Sequence, residues 1–128
     1  MDLATEDILE IHQLYAAYNF AVDDSDGGGF AATFTPDGTL VVPAGEPVSG
    51  SAALAEFASR PRSMRHVANN IALEADGAGA RGRAYLQLFT IGEEGSRLQT
   101  TGRYSDQLER VDGRWRFARR EFNVDQPT

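Results

Sequence analysis

The amino-acid sequence predicts an α+β fold, with helices in its first half and an antiparallel sheet in its second. Three observations lead there. Apolar residues recur at helical spacing over Glu6–Val22. From Arg65 onward the pattern becomes that of long strands, separated by Asp76-Gly77, Gly92–Gly95 and Val111-Asp112-Gly113, which have the composition of hairpin turns. Helices grouped first and strands afterwards, rather than alternating, is the arrangement of α+β proteins. A chain of 128 residues without repeat, linker or low-complexity tract suits one domain spanning 1–128. Short frayed ends are expected at Met1–Leu3 and Gln126–Thr128.

The first helix carries Ile8, Ile11, Leu14, Tyr15, Tyr18, Ala21 and Val22 on one stripe. Thr5 is placed to cap it, and Glu6 and Asp7 suit the positive end of its dipole. It should stop near Asp24, where an acidic run and three glycines follow. Asp26 can cap a short second helix over Gly28–Phe34. Thr35-Pro36-Asp37-Gly38 reads as a turn, Thr39–Val42 as a short strand, and Pro43–Pro47 as a break. Ser49 or Ser51 caps a third helix, Ala52–Ser59, which ends at Arg60-Pro61-Arg62. Four long strands are then expected over Arg65–Ala75, Ala80–Ile91, Leu98–Leu108 and Arg114–Asn123. Residues two apart in a strand share a face, which would group His66, Ala68, Asn70 and Ala72 on one side and Val67, Asn69, Ile71 and Leu73 on the other. Both groups mix small, polar and apolar residues, as in a curved sheet with a pocket on one side and a partner subunit on the other.

Composition removes several chemistries. Without cysteine there is no disulfide, thiolate nucleophile or thiolate-bound metal. Lysine is also absent, which excludes a lysine Schiff base, so all 12 basic residues are arginines. The net charge of −7 repels phosphate backbones and argues against a nucleic-acid partner. The acidic start MDLATEDILE lacks the features of a secretory leader, and no apolar stretch reaches the roughly 20 residues of a membrane span. A cytoplasmic location with no membrane partner is therefore expected. The two histidines have no metal-ligand spacing, so no metal is expected. Gly27-Gly28-Gly29 follows no strand and precedes no Gly-Lys-Ser, and reads as a helix junction rather than a phosphate loop.

The order of elements, together with Ile11–Asp26 (IHQLYAAYNFAVDDSD), Phe34-Thr35-Pro36-Asp37-Gly38, GSAALAEF from Gly50 to Phe57, Arg65-His66, Asn69-Asn70, Gly102-Arg103-Tyr104 and GRWRFARR from Gly113 to Arg120, resembles the SnoaL-like branch of the nuclear-transport-factor-2-like superfamily. The resemblance runs roughly from Glu6 to Phe122. It implies a cone: a curved antiparallel sheet wrapped around a long N-terminal helix, with two shorter helices, a deep pocket at one end, and dimerisation through the outer sheet face. Relatives by fold include scytalone dehydratase, bile-acid dehydratase, ketosteroid isomerase, limonene epoxide hydrolase and polyketide cyclases, so the fold by itself does not fix the reaction.

Read from spacing alone, Asp23 is either a turn aspartate in an acidic loop or a proton acceptor, and His66 either a strand histidine or an acid–base group. The resemblance favours the chemical reading of both, as a dyad in which Asp23 orients and polarises His66. It also places a pocket tyrosine at Tyr18, whose hydroxyl could hold a carbonyl oxygen; as a member of the apolar stripe, Tyr18 is equally readable as core. Tyr15 reads as core and His12 as a helix-flank residue. Asn70, Tyr85 and Arg120 are candidate substrate contacts. Arg119 and Arg120 point to opposite faces of the last strand; Arg120 is preferred for the pocket because Arg119 shares parity with Trp115 and Phe117.

Together these imply a cofactor-independent acid–base enzyme, a dehydratase or lyase for a small, mostly apolar, polyketide- or steroid-like substrate. A cyclase or isomerase of secondary metabolism using the same dyad is the near alternative. A non-catalytic ligand- or partner-binding protein is the alternative of a different class. The expected partners are a small-molecule substrate and a second copy of the chain, as a homodimer. The second histidine that scytalone dehydratase uses in its pocket has no counterpart here.

Overall fold

The computed structural model describes residues 2–126. Met1, Pro127 and Thr128, for which frayed ends are expected, lie outside the described residues. Leu3 is half-buried against the core instead of fraying.

Helix α1 runs over Thr5–Asp23 and α2 over Gly27–Ala31. Strand β1 is Phe34–Val41, β2 the two residues Val48–Ser49, and α3 covers Ser51–Ser59. The long strands are β3 Met64–Asp76, β4 Gly79–Gly92, β5 Gly95–Val111 and β6 Arg114–Val124. All six strands form one sheet in the order β2-β1-β6-β5-β4-β3. Strands β3 to β6 make the antiparallel meander, and β1 joins its far edge parallel to β6. The architecture is α+β: a curved sheet packed against the long N-terminal helix and two shorter ones.

Several local expectations shift for identifiable reasons. Ala4, not Thr5, occupies the cap position of α1, without a side-chain cap. Asp26 does cap α2, accepting a hydrogen bond from the Gly29 N–H at 3.0 Å. That helix closes at Ala31, because from Phe34 the backbone pairs with β6. The Thr35–Gly38 turn signal is absorbed as a register shift between Phe34 and Thr39 within β1, so the strand begins earlier than Thr39. Gly50 precedes α3 at φ 88°, and neither Ser49 nor Ser51 caps it. Asp112 and Gly113 both have positive φ, as a two-residue hairpin turn that follows the sheet's twist requires.

The core lies between α1 and the inner sheet face. Ile11, Leu14, Tyr15, Tyr18 and Val22 of α1 pack on Leu86, Tyr104, Leu108, Trp115 and Phe117 of the strands, with Phe30 and Phe34 closing one end. The aromatic rings interlock: Tyr18 meets Phe30, Phe34, Tyr104 and Phe117 with centroids 4.7–6.1 Å apart.

Two bulges decide what faces this core. In β3 the register slips between Asn69 and Ala72, with Asn70 at φ 55°. Before the slip His66 and Ala68 face inward; after it Ile71 and Leu73 do. Strict alternation had put Asn70 with His66 and Ile71 opposite them, and the extra residue reverses the assignment beyond Asn69. In β6 the pairing jumps from Phe117 opposite Leu108 to Arg119 opposite Gln107, leaving Ala118 as the extra residue. Phe117 and Arg120 consequently share the inner face, while Arg119 is exposed and donates to Glu121 Oε1 at 3.0 Å.

Candidate active site

Asp23 is the last residue of α1, and His66 stands near the start of the edge strand β3, against which α1 packs. Asp23 grips His66 at two points. Its Oδ1 lies 2.6 Å from the ring Nδ1, and its Oδ2 accepts the His66 backbone N–H at 3.0 Å. Both side chains are largely shielded from solvent, at 7 % and 12 % exposure. A carboxylate can only accept, so Nδ1 carries the proton and Nε2 holds a lone pair. Nε2 has no partner among the described residues and is the nitrogen available to an incoming molecule.

Burial pushes the His66 imidazole below its ordinary range, and the positive charges of Arg62 and Arg120 add to that. The hydrogen bond and charge of Asp23 oppose the fall without cancelling it. His66 is therefore neutral at pH 7, the form a general base needs.

The dyad opens on a cleft of about 580 Å³ between α1 and β3. One wall is the helix flank of His12, Ala16, Asn19 and Phe20; the other is Val67, Ala68 and Ile71. Phe20 and Val67 are exposed at 70 % and 42 %, unusual for side chains this apolar, and both belong to this cleft. A concavity of about 630 Å³ lies elsewhere, over Arg81, Arg83, Gln107, Arg119 and Glu121. It has no histidine and mixes both signs of charge.

The other candidate residues are not gathered at the cleft. Tyr18 is 4 % exposed and sealed among the core aromatics; it does not line the cleft, although Tyr15 does. Tyr85 stands on the outer sheet face, its ring under the Arg103 guanidinium at 5.3 Å. Asn70, turned out by its bulge, shares a separate hollow with Tyr85, Arg83 and Arg103. Arg120 is fully buried in the core. Its Nε lies 3.0 Å from Asp106 Oδ1, an ion pair whose geometry falls short of a hydrogen bond, and the Tyr15 hydroxyl donates to Asp106 Oδ2. The guanidinium sits over the rings of Tyr104, Tyr18, Phe117 and Tyr15 at 3.4–4.7 Å. Burial works against the Arg120 cation, and the Asp106 carboxylate is the foremost of the groups that oppose it. Gly82 makes room for this cluster, since a Cβ there would strike the Tyr15 hydroxyl.

Sequence reasoning missed Arg62 and Asp106. Arg62 donates to the carbonyls of Phe57 at 2.8 Å and Ala58 at 3.1 Å, closing the C-terminus of α3, and its charge reaches His66. An arginine just past a helix end is a readable signal for that role. Asp106 sits at an ordinary inward strand position, and nothing local announces its ion pair. Among the described residues no three histidine, aspartate or glutamate side chains come together as a metal site, and no helix is long and apolar enough to cross a membrane.

A curved sheet closed by a long helix is the nuclear-transport-factor-2-like fold, described as cystatin-like in similar solved structures. The chain belongs to the SnoaL-like domain family, whose model matches residues 4–121. A structure of a protein of unknown function from Mycobacterium tuberculosis is 33 % identical, covering 95 % of this chain and 73 % of that one, with a TM-score of 0.89. Two structures from Novosphingobium aromaticivorans are also similar. One, provisionally named an aromatic ring hydroxylase, is 28 % identical over 98 % of this chain and 93 % of its own, at TM-score 0.84. The other, provisionally named a scytalone dehydratase, is 21 % identical over 94 % and 85 %, at 0.80, and speaks for the fold alone. No curated protein matches.

Proposed function

We propose that the chain is a cofactor-independent acid–base enzyme, a dehydratase acting on a small, largely apolar β-hydroxyketone of the polyketide or steroid kind. The observation that carries this is the two-point hold of Asp23 on a neutral His66 beside an apolar cleft. His66 Nε2 takes a proton from the carbon next to the carbonyl. Asp23 stabilises the imidazolium that forms. The electron pair moves through the enolate to expel the β-hydroxyl, and the imidazolium returns the proton to it, so that water leaves and a C=C bond remains. Tyr18, enclosed in the core, is not assigned the substrate oxygen in this scheme.

The test uses 3-hydroxy-1-tetralone, which loses water to become 1-naphthol. The wild-type chain should speed naphthol formation over buffer, and His66→Ala should remove 10²–10⁴-fold of that rate, the usual worth of a positioned base. Melting should change little, because His66 lies on an edge strand. Asp23→Asn should lose rate too, and the double variant no more than the worse single one, since the pair acts as a unit. Deuterium exchange next to the carbonyl without loss of water would favour the isomerase or cyclase reading. No acceleration of either process would leave a binding protein.

A further inference from the structure

The cleft beside the dyad runs along the free edge of the sheet. Its strand wall holds Arg65, His66, Val67 and Ala68, successive residues of β3 whose side chains alternate between the two sheet faces. One cleft meets both sets only over the strand's edge, and β3 has a neighbour on one side alone, β4. The His66 N–H points out over that edge, because Asp23 Oδ2 accepts it at 3.0 Å. Pairing with β4 runs without a slip from Met64 to Asn69. N–H direction therefore alternates, and the Ala68 N–H points out as well, about 6.7 Å along the strand. Ala68 is half-buried in the cleft wall, and both Asp23 oxygens are already engaged by His66. A backbone donor in such a place needs an acceptor. An added strand fits poorly, since Asp23 holds the preceding edge N–H and the bulge at Asn70 ends the alternation. What is left is a single donor, suited to one oxygen atom.

We infer that the Ala68 N–H holds the carbonyl oxygen of the substrate, the role that Tyr18, sealed in the core, is not placed to fill. The inference rests on the acid–base reading of the dyad. As His66 Nε2 takes a proton from the adjacent carbon, negative charge gathers on that oxygen. The hydrogen bond from Ala68 then strengthens, and no proton leaves the amide. A main-chain donor fixed by the sheet needs no reorganisation as the charge develops. The cleft's other donors are placed differently. Arg65 Nη1 donates to the Met64 carbonyl at 2.9 Å. His12 lies about 16 Å back along α1 from Asp23.

The experiment has a binding arm and a rate arm, both on the full chain. In the first, the wild type is titrated with 1-tetralone and with tetralin, which lacks the oxygen, and the Ala68 amide proton is followed by NMR. It should move downfield with tetralone and not with tetralin. In the second, Ala68→Pro removes the N–H. Proline is tolerated on an edge strand where its missing N–H would face out of the sheet, and Val67 is already extended, as a residue before proline must be. Should proline lower the melting temperature, lactic acid in place of Ala68 turns the amide into an ester and keeps the side chain. Turnover of 3-hydroxy-1-tetralone should fall about 10²–10³-fold, the usual worth of one such donor, while the His66 ring titrates as in the wild type. A fall under about tenfold in the folded ester variant would overturn the inference. So would an Ala68 proton unmoved by tetralone, as when Arg65 or His12 takes the oxygen, or a wild-type chain that does not bind tetralone. The tetralone-specific shift without turnover sinks the acid–base reading and keeps Ala68 as the carbonyl contact. Turnover that survives loss of the N–H does the reverse.

Discussion

Asp106→Asn is the most informative perturbation of the buried core. In the native fold Asp106 and Arg120 are both fully buried, and their charges offset one another at 3.0 Å. Asparagine keeps the shape and an acceptor for the Tyr15 hydroxyl, so the substitution removes little besides the charge. What remains is a guanidinium with no solvent and no counter-ion, which arginine cannot relieve by losing its proton. Breaking a buried pair this way costs about 3–5 kcal/mol. With an unfolding entropy of about 2.1 cal/mol/K per residue over a chain this long, that corresponds to a fall in Tm of roughly 11–19 °C. Arg120→Met should be milder and pH-dependent. Burial already pushes the Asp106 carboxyl up, held back by Arg120 and the Tyr15 hydroxyl, so without Arg120 it can take a proton and become neutral. Its deficit should shrink as pH falls, while that of Asp106→Asn should not. The double variant should be more stable than Asp106→Asn alone. Calorimetric melting of the three variants at two pH values is sufficient. A loss under about 3 °C for Asp106→Asn, set against the slope above, would refute the account of the pair as a buried, mutually dependent unit.

Two further outcomes are expected. In Asp23→Asn the His66 ring should titrate still lower than in the wild type, because Asp23 supplies the hydrogen bond and charge that oppose burial; an unchanged or raised titration in an imidazole NMR series would contradict the dyad. The sign for stability follows: His66 is depressed in the fold, so its contribution is complete above the ordinary histidine range and is lost as pH falls through the folded value. The chain should also form a homodimer through the outer sheet face, where Arg83, Tyr85 and Arg103 stand exposed. Light scattering should give twice the chain mass, and a monodisperse monomer at working concentration would count against it.

The elements that the sequence determined are those whose information is local. The apolar stripe of α1 and the hairpin turns at Asp76-Gly77 and Asp112-Gly113 specify their conformations within a few residues, so the α+β order and the four long strands were legible directly. The meeting of Asp23 with His66 is different. It spans 43 residues, and only the resemblance to a family, not spacing, pointed to it. Which side chains face the core was decided by tertiary structure. A period of two holds until one extra residue enters, and the bulges at Asn70 and Ala118 each reverse every assignment beyond them. Asn70 was turned outward by such a slip, and Arg120 came to share a face with Phe117 by another. Tyr18 was readable from its stripe as either core or pocket. Packing decided for the core, because the rings of Phe30, Phe34, Tyr104 and Phe117 close around it while the cleft opens on the neighbouring flank of the helix.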